Sequence, residues 1–265
     1  MSASATLPAP GSAARAVARP WSGRVAVVTG ASRGLGAGLA RVFADEGLKL
    51  ALCARSEPAL PEGADGLALR ADVTDPAAVE ALAREAVRRF GRIDLWVNNA
   101  GVLEPIAPLR DVEPADFALH LRVNVLGVFH GTRSFVRHLR ARGGEGVLVN
   151  VSSGASQNAY AGWSAYCAAK AAVDRLTEVV QLEEADAGLR AYAVAPGVID
   201  TDMQALIRAT PSERFPSVER FLEMKREERF NSPAFVAREL LALAFDPARR
   251  PEGVLVRLPD EHATG

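Results

Sequence analysis

Short apolar runs rich in β-branched residues return along this chain at intervals that leave room for a helix between successive runs, and few folds admit that rhythm. Residues 24–29 read as a buried strand, 35–46 as a helix, 49–54 as a second strand and 67–70 as a third. Asp75 supplies an acidic cap for a helix opened by Pro76 and running to Phe90. A fourth strand is expected over 93–97, a long helix over 114–139 stopped by Gly143 and Gly144, and a fifth strand over 147–151. A helix over 165–180 follows, then strands at 190–194 and 254–257. Parallel neighbours need crossover connections, so this order predicts an α/β chain: a doubly wound parallel sheet of about seven strands with helices on both faces.

At 265 residues, 49% of them hydrophobic, the chain can bury a full core, and residues 23–265 are expected to form one domain. Residues 1–22, rich in Ala, Ser, Pro and Arg and free of acids, read as a disordered tail. A transit peptide is the lesser alternative, because the prolines interrupt an amphipathic helix. A net charge of −1 without blocks of like charge points away from nucleic acid and anionic membranes. Cys53 and Cys167 make no disulfide framework, which suits a reducing cytoplasm. His120, His130, His138 and His262 show no ligand spacing, so no metal site is expected. The segment 200–231 breaks the rhythm and is charged, with Pro211 and Pro216 inside it. Ligands of such sheets bind beyond the carboxyl ends of the strands, which makes this insertion a candidate substrate lid. For Glu219, Arg220, Glu223, Arg226, Glu227 and Glu228 taken singly, a solvated helix face is an equal alternative.

Between the first strand and first helix lies Thr29-Gly-Ala-Ser-Arg-Gly-Leu-Gly36. Glycines at 30, 34 and 36 let backbone approach a pyrophosphate at a helix N-terminus. The spacing is G-x-x-x-G-x-G rather than G-x-G-x-x-G. Arg55 and Ser56 follow the second strand, where an NAD enzyme would present an acid to the ribose. Arg55, with Arg33 inside the turn, favours a 2′-phosphate and therefore NADP; Glu57 opposes that preference, and each arginine has a solvated surface role as its alternative. Further on, Tyr166 and Lys170 stand four apart in a helical run, on one face. A phenol titrates near 10, and a cation beside it favours the phenolate. Lys170 is one of three lysines, with Lys49 and Lys225.

Thr29-Gly-x3-Gly-x-Gly36, Asn98-Asn-Ala-Gly101, Asn124, Ser153, Tyr166-x3-Lys170 and Pro196-Gly197 occur in that order. Across 24–258 the chain thus closely resembles the short-chain dehydrogenase/reductase family, with its Rossmann-type fold. The resemblance implies a catalytic quartet of Asn124, Ser153, Tyr166 and Lys170. Ser153 would hold the carbonyl oxygen and Tyr166 would donate the proton. Lys170 would lower the phenol pKa and bind the nicotinamide ribose, and Asn124 would hold a water leading to solvent. Among cofactor contacts it implies Gly30, Ser32, Arg33, Gly34, Leu35 and Gly36 at the pyrophosphate, and Arg55 and Ser56 at the adenosine ribose. Asp72 and Val73 would flank the adenine, Asn99, Ala100 and Gly101 would lie under the ribose, and Pro196, Gly197, Ile199 and Thr201 would seat the carboxamide. Residues 162–170 and 195–204 are similar to the branch of sepiapterin and benzil reductases, which implies an NADPH-dependent reductase of ketones or vicinal diketones. Tyr160, Trp163, Met203 and Gln204 would line its substrate pocket, with Asp260 anchoring a pterin-like ring; core packing is the alternative for Trp163 and Met203. A homodimer or homotetramer would be usual. A 3-oxoacyl carrier-protein reductase, an alcohol dehydrogenase and a non-catalytic NADP-sensing regulator stay open.

Overall fold

The first strand, β1 (Val25–Thr29), is wholly buried and feeds directly into the glycine turn. In this computed structural model, which describes residues 19–262, it leads a chain in which strands and helices mostly alternate. There follow α1 (Gly34–Asp45), β2 (Lys49–Ala54), β3 (Gly66–Arg70), α2 (Pro76–Phe90) and β4 (Leu95–Asn98). Next come α3 (Pro114–Leu121), a π-helical turn (Arg122–Leu126), α4 (Gly127–Arg142), β5 (Gly146–Val151), α5 (Ser164–Glu184) and β6 (Leu189–Ala195). The last elements are α6 (Asp202–Arg208), α7 (Val218–Arg226), α8 (Pro233–Phe245) and β7 (Leu255–Arg257). The strands form one parallel sheet of seven, ordered β3-β2-β1-β4-β5-β6-β7. The order reverses between β1 and β4, and the carboxyl ends of those strands open a crevice for a ligand.

Alternate side chains on each strand serve different cores. Ala26, Val28, Leu50, Leu52, Val97 and Val149 pack with α1 and α8. Val27, Ala51, Cys53, Trp96 and Leu148 face the layer of α2, α4 and α5. Local signals set the element ends: the Asp75 carboxylate accepts from Ala77 N–H at 2.9 Å, and Gly91 leaves α2 at φ 79°. A buried polar chain runs beneath the sheet from Trp96 through Asn98 and Asn150 to Thr177, with steps of 2.8 to 2.9 Å.

Two expectations need adjustment. The helix expected over 114–139 is a composite, α3 and α4 joined by the π turn and ending at Arg142. Of the expected tail, residues 1–18 lie outside the described residues; its last positions form a turn in which Trp21 packs on the core. The segment 200–231 folds as α6 and α7, and Phe215 between them stacks on Trp163 at 4.4 Å. Among the described residues no helix is long and apolar enough to cross a membrane.

Candidate active site

One cavity of about 770 Å³ runs from the glycine turn across the carboxyl ends of the strands to α6 and α7. At its first end Gly30 takes φ +68°, and a Cβ on Gly36 would stand 2.3 Å from the Gly30 carbonyl oxygen, so this turn closes only on hydrogen. The Thr29 hydroxyl accepts from the N–H groups of Asn99 and Ala100 at 3.0 and 3.1 Å. Asn99 donates back to the Thr29 and Gly30 carbonyls, tying β1 to β4 beneath the cavity. Helix α1 starts with no side-chain cap and no acid in its first turn. Its first amides are thus left for an anion, and the glycine cradle fits a dinucleotide pyrophosphate.

Ser32, Arg33, Gly34, Leu35, Arg55, Asp72, Val73, Ala100, Gly101, Pro196, Gly197, Ile199 and Thr201 also line the cavity. Ser56 does not. Arg33 is drawn to the far wall, donating to Asp202 at 2.9 Å. Arg55 is exposed and has no carboxylate partner among the described residues. Asn231, buried behind this wall, donates to the carbonyls of Pro196 and Pro259 at 2.9 and 3.0 Å and fixes the turn at Gly197.

At the middle, α5 presents Tyr166 and Lys170 together, both buried, with the ammonium 5.6 Å from the phenol ring centroid. Lys170 donates to the Val151 carbonyl at 2.7 Å. Ser153 caps the short turn after β5, accepting from Ala155 N–H at 3.2 Å, and its hydroxyl also reaches the Tyr166 phenol. Burial pushes the Tyr166 phenol above its ordinary value; Cys167 adds to the rise, and the Ser153 hydroxyl opposes it. The expected depression of the phenol by Lys170 is therefore absent: desolvation of the phenolate dominates. Burial pushes Lys170 down to about 8, against the pull of Asp174 one helical turn on. Asp174 is itself buried and accepts the Ser152 hydroxyl hydrogen bond.

Asn124 sits in the π turn, buried, where it clamps the strand exit: Val102 N–H donates to its Oδ1 at 2.9 Å and its Nδ2 donates to the Val102 carbonyl at 2.8 Å. The remaining amide hydrogen points to His120 Nε2 at 2.6 Å. His120 Nδ1 lies 2.7 Å from the Glu104 carbonyl, so Nδ1 carries the proton and Nε2 accepts. The ring is fully buried and stands edge-on to Tyr166 at 6.0 Å. Burial, then the Lys170 charge, hold its pKa below the ordinary value against the Glu104 carbonyl.

Toward α6 and α7, Tyr160, Trp163, Met203 and Gln204 line the cavity, joined by Phe221 and Arg220. Asp260 lies outside it and accepts from His262 N–H at 3.0 Å, so the structure removes it from the pocket wall; the turn it caps holds it there. Sequence reasoning gave no role in the site to His120, Asp174 or Asn231, and placed Arg220 only among the charges of the candidate lid. Only Asp174 left a signal, a carboxylate four positions after Lys170.

Residues 24–212 match the family model described as short chain dehydrogenase. The benzil reductase ((S)-benzoin forming) of Bacillus cereus is 30% identical over 249 residues, covering 89% of this chain and all of that one. The solved structure of levodione reductase matches with a TM-score of 0.80 at 30% identity, over 90% of this chain and 96% of that one. The 3-ketoacyl-(acyl-carrier-protein) reductase of Brucella melitensis, solved with NADH, matches at 0.76 and 29%, over 89% and 97%.

Proposed function

The chain belongs to the short-chain dehydrogenase family, and from that premise we propose that it is an NADPH-dependent carbonyl reductase acting on ketones or vicinal diketones of the benzil or sepiapterin type. The observation that carries this reading is one cavity with Ser153, Tyr166 and Lys170 at its middle and the glycine cradle with Arg55 at one end. The nicotinamide cofactor, when bound, supplies the hydride. Ser153 holds the substrate oxygen through its hydroxyl, and Tyr166 protonates that oxygen as charge develops on it. Burial favours this direction, because it keeps the phenol protonated at neutral pH. Lys170 places a cation behind the phenolate that proton transfer leaves. Asn124 acts as a clamp on the Val102 strand exit, with both amide hydrogens engaged.

Arg55 supports NADP over NAD, since its guanidinium is unpaired at the cavity wall and Glu57 is not part of that wall. The enzyme works as a homo-oligomer, a reading supported by exposed Leu126 in the π turn, Phe129 on α4, and Val179 and Leu182 on α5. The likeness to a carrier-protein reductase solved with NADH supports a second reading, reduction of 3-oxoacyl thioesters.

The test is loss of NADPH absorbance at neutral pH with benzil, 1-phenyl-1,2-propanedione, sepiapterin and an acetoacetyl thioester, each repeated with NADH. Turnover of the diketones with NADPH is expected, and Tyr166→Phe should bind NADPH while losing nearly all reduction. Turnover of the thioester alone moves the chain to the second reading, and full activity in Tyr166→Phe removes the mechanism.

A further inference from the structure

Six cations lie within the 200–231 segment, and four are held by carboxylates of the same segment: Arg208 and Lys225 by Asp200, Arg226 by Glu219 and Arg229 by Glu227. Arg214 and Arg220 have no carboxylate within ion-pair distance among the described residues, and of these two only Arg220 lines the cavity. Its guanidinium donates to the Tyr160 hydroxyl at 3.1 Å. Tyr160 in turn packs on Trp163 at 5.1 Å, and Trp163 on Tyr166 at 5.4 Å. Arg220 is thus steered to the end of the cavity remote from the reacting atoms, two aromatic rings beyond the catalytic phenol. The wall between is apolar, with Trp163, Phe221 and Met203, and it holds one buried amide, Gln204, whose Oε1 has no partner.

We propose that Arg220, braced by Tyr160, is the subsite for a carboxylate carried by the substrate at the end away from the reacting carbonyl. The inference rests on the reductase reading and narrows it to keto acids with an apolar middle. A guanidinium presents two parallel N–H donors to a carboxylate, a geometry that Tyr160 leaves open because it occupies only Nη1. The segment neutralises four of its six cations internally, and of the two left over only Arg220 faces the cavity. Asp72, Glu104 and Asp202 are the carboxylates of the same cavity, and none of them pairs with Arg220.

Benzil-4-carboxylate and its methyl ester differ in the remote charge alone and serve as probes. Wild-type protein should prefer the acid, and Arg220→Met should lower the acid-to-ester ratio of kcat/KM by about tenfold or more, mainly through KM, as expected for binding shared by ground and transition states. Arg220→Lys should restore part of the preference, since the charge returns without the fork. An unchanged ratio in Arg220→Met overturns the subsite. So does an equal fall for acid and ester, which would assign Arg220 a role indifferent to the remote charge. Calorimetric titration of the acid into protein with NADPH separates the two readings. If wild type turns over neither probe yet binds the acid, and Arg220→Met does not, the subsite stands and the reductase reading falls. Absence of acid binding by wild type overturns the subsite as well.

Discussion

Asp174 stands one helical turn beyond Lys170, and the pair shows how burial and charge compete at a single ammonium. Desolvation brings Lys170 down to about 8, and the buried carboxylate opposes the fall. The charged lysine is therefore present below that pH and lost above it. We expect kcat/KM for NADPH, which reports the free enzyme, to decline on the alkaline side with an apparent pKa near 8. Asp174→Asn should move that decline to lower pH, and an unmoved alkaline limb in the variant would dismiss the carboxylate's role. This much was open to sequence reasoning, because residues four apart share a helix face. His120 was not: it too stands four before Asn124, but its part depends on the backbone carbonyl of Glu104 arriving from a loop sixteen residues earlier.

At the scale of elements, the strands and caps were legible because their signals are local: alternation for the sheet, Asp75 and Gly91 for α2, glycines for the first turn. The π turn was not legible, since nothing in Arg-Val-Asn-Val-Leu differs in propensity from the helix around it. It is a response to the Asn124 clamp on Val102, a tertiary contact. Tertiary closeness also makes the glycine turn fragile. A Cβ on Gly36 meets the Gly30 carbonyl at 2.3 Å and the Asn99 amide at 2.6 Å, atoms already fixed by β1 and β4. Gly36→Ala should cost about 1–3 kcal/mol of stability and weaken NADPH binding. Gly253→Ala, where a Cβ meets nothing within 4 Å, is the control. Thermal unfolding and NADPH titration read both, and equal behaviour of the two variants would refute the packing argument.

Across the whole molecule, a doubly wound parallel sheet was implied by the alternation of strands and helices, though not the order β3-β2-β1-β4-β5-β6-β7 of those strands. The wall formed by α6 and α7 was not, since its position is set by Phe215 and Phe221 packing on Trp163. Asp260 failed for the same reason: distance along the chain gave no hint that a terminal turn would hold it outside. Leu182 is 84% exposed on α5, too large an apolar side chain to leave in water without purpose if the chain assembles. Leu182→Glu should shift the protein toward monomer by sedimentation; an unchanged mass would place any interface elsewhere.

The excursion through α6 and α7 leaves β6 at Pro196 and returns at Asn231, whose side chain bonds the Pro196 carbonyl while its N–H bonds that of Val198 at 2.9 Å. Departure and return are therefore pinned to the same place. A stretch of gene bounded in this way can diverge, lengthen or be exchanged without disturbing the strands on which the cofactor rests. Lineages sharing this scaffold can keep one reductant while trading one substrate for another, and a chimaera cut at those two positions would inherit its taste from one parent and its chemistry from the other.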